Sequence, residues 1–164
     1  MTMSEHSLFN ILKQIMDDRV QKWGKSIHGW SDEEIEKLSP EIKKFVSEAY
    51  QEFGKYKMVA EVTKASNCTF NLKKGERLVF ASNGLLLPKE CTANLCLWAI
   101  APLLPFNLMT YDHLYHGIDP CSFFPNTMKC ADTGVGCGGF GEVAFKVFCI
   151  ESSWTLKQIL GEKR

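Results

Sequence analysis

The spacing of apolar residues changes at Tyr56 from about 3.6 residues, the helical period, to 2, the strand period. Upstream, apolar side chains alternate with charged ones at helical spacing and predict helices over 7–23 and 40–53. Downstream, alternation over 56–63 predicts a strand, a turn signal at Lys73-Lys74-Gly75 precedes a second predicted strand over 77–81, and alternation predicts a third over 142–150. The predicted fold is α+β, with N-terminal helices followed by a small, mostly antiparallel sheet packed against one or two helices.

The same change of period predicts the division of the chain. Residues 1–55 form a helical N-terminal extension in this interpretation, and residues 56–164 form a cysteine-rich α+β domain. Ser31 and Glu34 make a capping-box pattern for a short helix, and Ser39 caps the helix that Pro40 begins.

Local signals subdivide the second part of the chain. The apolar stretch 95–104 predicts a helix that Pro105 ends, and 108–115 predicts a second short helix. A loop rich in proline, glycine and cysteine follows over 116–141, and 155–160 predicts a last helical turn.

Charge and hydropathy exclude several classes of protein. Nineteen basic and nineteen acidic residues balance, so the chain has no global field that would attract nucleic acid or an anionic membrane surface. The longest uncharged run, 91–111, is interrupted by prolines and asparagines, and the N-terminus lacks a signal-peptide pattern. We therefore expect a cytoplasmic protein whose seven cysteines are reduced and whose partners include neither nucleic acid nor membrane.

The glycine-rich segment Gly136–Gly141 fits the G-x-G-x-x-G pattern of dinucleotide-binding loops. That function requires a helix after the loop, because the amides at the helix N-terminus hold the pyrophosphate. The segment that follows, 142–150, has the pattern of a strand. The sequence therefore predicts a turn entering a strand, with a backbone cradle for an anion as the alternative.

The cysteine spacing is a weak indicator of metal binding. Four residues separate Cys91 from Cys96 and six separate Cys130 from Cys137, so neither pair has the tight spacing of zinc knuckles. Cys96 on its apolar helix, and the cysteine at 149 in the last strand, fit a packed core.

Nucleophilic catalysis would need a thiolate with a base nearby. His113 and His116 are the candidate bases, with Cys130 or Cys121 as the thiol, and Asp132 shares the loop of Cys130. Aromatic residues in the same part of the chain fit either a core or the wall of a ligand pocket: Trp98, Phe106, Phe123, Phe124 and Phe140.

Several of these features occur in a recognisable order. Cys68 follows the first strand, Leu95-Cys96-Leu97-Trp98-Ala99 begins a helix, and Cys130-Ala131-Asp132 precedes the last strand. This order resembles a family of small, uncharacterised cysteine-containing proteins of anaerobic bacteria and archaea, over about residues 56–151. The resemblance implies that Cys68, Cys96 and Cys130 are the family's cysteines and Asp132 its acid. The chain departs from the family at Ala131, where a proline is usual, and in the apparent insertion 133–140.

Three functional hypotheses remain open. In the first, a thiol-based enzyme or ligand-binding domain has a pocket between the helix that begins at Leu95 and the last strand. Its thiols are Cys96 and Cys130, its acid or base is Asp132, and its proton shuttle is His113 or His116. The ligand would be a small molecule, and the sequence does not name a reaction.

The second hypothesis is a metal-binding module, with zinc or an iron–sulfur cluster held by Cys68, Cys96, Cys130 and Cys137, or with Asp132 or a histidine as the last ligand. The third is an accessory subunit whose helices over 7–53 dock on a protein partner, with homo-oligomer formation left open.

Overall fold

The computed structural model describes residues 5–152 and divides the chain into two compact units, Met1–Glu52 and Phe53–Arg164. The sequence predicts a boundary close to this one, after residue 55. The helical turn predicted over 155–160 lies outside the described residues. No helix within 5–152 is long and apolar enough to cross a bilayer.

The first unit consists of helices α1 (Glu5–Trp23), α2 (Asp32–Glu36) and α3 (Pro40–Glu52), with a π-helical turn (Gly24–His28) after α1. The capping box predicted before α2 is confirmed. The Glu34 N–H donates to Ser31 Oγ at 3.2 Å, and the Ser31 N–H donates to Glu34 Oε2 at 2.7 Å. These bonds satisfy N–H groups that a helix start leaves without a helical partner.

Val20, Ile35 and Val46 form the buried core of this unit, one from each helix. Gly24 contributes by being small, because a Cβ at this position would lie 2.9 Å from the Trp30 ring. Ile42 is not part of this core, since its side chain is 45% exposed in the first turn of α3, one turn before the buried Val46.

The second unit contains a four-stranded antiparallel sheet in the order β2-β1-β4-β3. Its strands are β1 (Tyr56–Ser66), β2 (Arg77–Ala81), β3 (Thr127–Lys129) and β4 (Glu142–Glu151). The three predicted strands are confirmed, and so is the α+β class. Strand β3 lies inside the segment predicted as a loop over 116–141. Its three residues are too few for an alternating pattern to be recognised in the sequence.

One face of the sheet carries the main core. Met58, Ala60 and Val62 on β1 share this core with alternate residues of β4, whereas Val59 belongs to a smaller cluster on the other face. The register shifts between Val62 and Lys64, so that Thr63 is an inserted residue. The bulge changes which alternate residues of β1 face the core.

A helical stretch packs on this core: α4 (Leu97–Ile100), a 3₁₀ turn (Ala101–Leu103) and α5 (Leu104–Tyr115). Ala99, Leu103 and Phe106 are its buried contacts. The prediction that Pro105 ends a helix is wrong, because Pro105 lies in the first turn of α5. A proline is tolerated there because the first turn does not use its N–H groups for helical bonds.

Two cysteines form a disulfide, Cys121 with Cys149, and their Cα atoms are 5.5 Å apart. The prediction that all seven cysteines are reduced is therefore wrong for this pair. The expectation that Cys149 is a core residue is also wrong, since it is only partly buried. The sequence could not pair them, because only the packing of the segment after α5 beside β4 brings residues so distant in the chain together.

Candidate functional site

A cavity of about 310 Å³ lies in the second unit, where the segment after β1, the start of α4 and the loop before β4 meet. Its wall is mostly apolar and includes three cysteines that are not in the disulfide. The lining residues are Cys68, Thr69, Phe70, Leu72, Cys96, Trp98, Ala99, Cys130, Asp132, Phe140, Gly141, Glu142 and Val143.

The three cavity cysteines come from three separate segments. Cys68 follows β1 and is half-buried, Cys96 directly precedes α4 and is buried, and Cys130 follows β3 and is half-buried. Backbone bonds fix the segment of Cys130: its N–H donates to Val143 O at 2.8 Å, and the next N–H donates to Trp98 O at 2.8 Å. The second bond ties this segment to α4 across the cavity wall.

The Asp132 carboxylate organises the glycine-rich loop. Its Oδ1 accepts the N–H groups of Gly134 at 3.0 Å and Phe140 at 2.9 Å, and its Oδ2 accepts that of Gly141 at 3.0 Å. These bonds, that from Gly134 foremost, hold the pKa of Asp132 below its ordinary value, because they stabilise the charged form. A carboxylate engaged in this way is poorly placed for the acid–base role predicted for it.

The glycine-rich loop is therefore folded around a carboxylate of the chain itself, that of Asp132. A Cβ on Gly139 would lie 2.6 Å from the Gly134 nitrogen, and one on Gly141 would lie 2.7 Å from the Asn67 carbonyl carbon. The sequence offers a backbone cradle for an anion as the alternative to a simple turn, and the anion in this cradle is the chain's own Asp132.

The second carboxylate of the wall, Glu142, forms ion pairs with two lysines. Lys129 Nζ lies 3.0 Å from Glu142 Oε2, and Lys64 Nζ lies 3.2 Å from Glu142 Oε1. These two ammonium groups, Lys129 first, hold the pKa of Glu142 below its ordinary value. The acidic groups of the cavity therefore have partners within the protein.

The predicted catalytic residues divide into two groups. Cys96, Cys130 and Asp132 line the cavity, whereas neither His113 nor His116 does. His113 Nδ1 lies 3.0 Å from Asp119 O, and His116 Nε2 lies 3.6 Å from a carboxylate oxygen of Asp112, one helical turn earlier. Neither histidine of the second unit lines the cavity, so that unit brings no imidazole of its own to the cavity thiols.

The predicted metal ligands divide in a similar way. Cys68, Cys96 and Cys130 line the cavity, but Cys137 is exposed in a 3₁₀ turn (Val135–Cys137) and does not. Among the described residues, no three His, Cys, Asp or Glu side chains are placed to hold a metal ion. The donor set therefore does not fit the predicted zinc ion or iron–sulfur cluster.

Part of the wall was not predicted from the sequence. Of the aromatic residues considered, Trp98 and Phe140 line the cavity, whereas Phe106 and Phe123 are buried in the core. Phe70 also lines the cavity, and the sequence analysis missed it. Its position two residues after Cys68, in the same loop, was the available signal.

Comparison with family models, curated proteins and solved structures finds no match for this chain. The family resemblance, which depends on the order of short motifs, therefore stays a prediction.

Proposed function

We propose that the second unit binds a small, mostly apolar molecule in the cavity, with Cys68, Cys96 and Cys130 as part of the wall. The observation that carries this proposal is the cavity itself. Its volume of about 310 Å³ lies at the lower end of the range of about 300–1,000 Å³ that ligand sites occupy. Apolar walls with few polar groups are typical of such sites.

Binding accounts for the geometry better than thiol catalysis. An activated cysteine needs a base or a nearby cation, and neither histidine of the second unit, His113 or His116, lines the cavity. The carboxylates of Asp132 and Glu142 are engaged by backbone N–H groups and lysines, respectively. The wall therefore offers a ligand apolar carbon, aromatic side chains and sulfur rather than a proton-transfer group.

A neutral fluorophore, phenylnaphthylamine, tests this proposal. We expect one molecule to bind per chain with increased fluorescence, and we expect Thr69→Trp to weaken binding at least tenfold by filling the cavity. Thr69 is exposed at the cavity wall, so the substitution leaves the core unchanged. The matched control is Thr127→Trp, at an exposed threonine outside the cavity. Equal binding by both variants, or no binding by the wild type, would refute the proposal.

We also propose that α1 docks on a second copy of the chain. Five large apolar side chains of this helix are each at least 41% exposed: Leu8, Phe9, Ile11, Leu12 and Ile15. Such a patch is typical of an interaction surface. A second copy of the chain fits this surface because α1 carries charges of both signs, Lys13 and Lys22 with Asp17 and Asp18. The chain also has no net charge to oppose self-association.

Light scattering after size-exclusion chromatography tests this second proposal. We expect a dimer for the wild type and a monomer for Leu12→Glu, because the new charge would be buried in the contact. Asn10→Glu, at an exposed position of the same helix outside this apolar set, is the control and stays dimeric. A monomeric wild type, or a dimeric Leu12→Glu, would contradict the proposal.

A further inference from the structure

We infer that the ligand of the cavity carries a compact organic cation, such as a quaternary or highly substituted ammonium group. This inference rests on the proposed binding function and adds the charge of the ligand to it. Three features of the wall point to it: its aromatic residues, its charges and its sulfur atoms.

Three aromatic residues from three segments converge on the cavity. Phe70 follows β1, Trp98 is in α4, and Phe140 is in the glycine-rich loop. Their side chains are 51%, 53% and 73% exposed, so their rings are not buried in the core and can contact a ligand. The negative face of an aromatic ring attracts a cation, most strongly in tryptophan, and sets of such rings recognise quaternary ammonium groups.

The charges of the wall have one sign. Asp132 and Glu142 line the cavity, and no lysine or arginine of residues 53–152 does. The two lysines near Glu142 exceed its single negative charge, whereas Asp132 is held by neutral N–H groups, which leave its negative charge in place. Both carboxyl groups have lowered pKa values and are ionised at neutral pH. The Asp132 carboxylate therefore favours a positive group beside it over a neutral one, and a neutral one over an anion.

The remaining wall groups are compatible with this class of ligand. The substituents of a quaternary ammonium group are apolar and donate no hydrogen bond, so they suit a wall whose carboxylate oxygens are already engaged. Polarisable sulfur atoms of Cys68, Cys96 and Cys130 contribute dispersion contacts to such a group.

Choline and its neutral isostere dimethylbutanol, in which a tert-butyl group replaces the trimethylammonium group, separate charge from shape. We expect the full-length protein to bind choline about three- to thirtyfold more tightly, the range that a cation–π contact supplies. Dissociation constants are measured by nuclear magnetic resonance titration. Trp98→Leu should reduce this ratio towards one, because it removes the ring and keeps an apolar side chain. Phe124→Leu is the control, since Phe124 is an exposed aromatic residue outside the cavity.

Each outcome has a distinct meaning. A choline preference that Trp98→Leu removes and Phe124→Leu preserves supports the inference. Equal affinities for the two compounds, or tighter binding of dimethylbutanol, overturn the cation while leaving the binding function intact. If neither compound binds but phenylnaphthylamine does, the inference is overturned alone. If phenylnaphthylamine also fails to bind, the proposed function fails with it.

Discussion

The most informative single residue is Asp132, whose carboxylate accepts three backbone N–H groups of the glycine-rich loop. A sequence motif with an acid beside a cysteine suggests acid–base chemistry. In the structure the carboxylate instead holds the loop in place. The residue therefore affects the cavity by positioning its wall. The ionisation of Asp132 should therefore be visible in stability as a function of pH.

Asp132→Asn should lower the urea midpoint of unfolding at pH 7, because an asparagine side chain presents an N–H group to one of the three backbone donors. The pKa of Asp132 is lowered in the folded state, so its contribution is fully present above the unfolded-state value of about 3.9 and is lost as pH falls through the folded-state value. The wild type and the variant should therefore converge in acid. Urea titrations at pH 7 and at about pH 3 measure this, and a difference that does not shrink in acid would contradict the assignment.

Gly139 is predicted to be difficult to replace in the same loop. A Cβ there would meet the Gly134 nitrogen and Thr133 Oγ1 at 2.6 and 2.8 Å, and it would also meet the Asp132 carboxylate. Gly139→Ala should lower the free energy of unfolding by about 1–3 kcal/mol, the usual cost of overpacking. Gly136→Ala is the matched control, because a Cβ there meets nothing within 4 Å, and it should stay within about 0.5 kcal/mol. Equal effects in urea denaturation would show that the loop is not packed in this way.

At the scale of helices and strands, the sequence predicts the features that local or periodic patterns encode. It misses the features that depend on tertiary contacts. The caps at Ser31 and Ser39 and the alternation in β1 and β4 are local signals, and the structure confirms them. The bulge at Thr63 and the short strand β3 have no local signal, since each exists only through pairing with β4. The cavity aromatic residues are similar, because an exposed ring and a core ring look alike in a sequence.

The alternation of β4 makes a quantitative prediction. Phe145 is fully buried in the main core, whereas Ile150 on the same strand is 42% exposed. Phe145→Ala should lower the free energy of unfolding by about 3–5 kcal/mol, because it removes a large buried side chain and leaves a cavity. Ile150→Ala should cost about 1 kcal/mol or less. The two values from chemical denaturation would contradict the register of β4 if they were equal or reversed.

At the scale of the whole molecule, the disulfide and the cavity are two separate uses of cysteine. Cys121 and Cys149 are bonded to each other and neither lines the cavity, whereas Cys68, Cys96 and Cys130 line it as thiols. A sequence with seven cysteines gives no means of making this division, because it depends on which segments meet in space. The division predicts that stability and ligand binding respond differently to reduction.

Replacing both disulfide cysteines, as Cys121→Ser with Cys149→Ser, should lower the free energy of unfolding by about 3 kcal/mol. The physical reason is the loss of a cross-link between residues 28 apart, which restricts the unfolded chain. Dithiothreitol should destabilise the wild type by a similar amount and leave the double variant unchanged. Cys137→Ser, at an exposed cysteine outside the disulfide, is the control and keeps the response to reductant.

Under mild conditions that keep all forms folded, phenylnaphthylamine should bind each with similar affinity, because the cavity wall contains neither disulfide cysteine. A wild type whose stability is indifferent to dithiothreitol would show that the two cysteines are not bonded in solution.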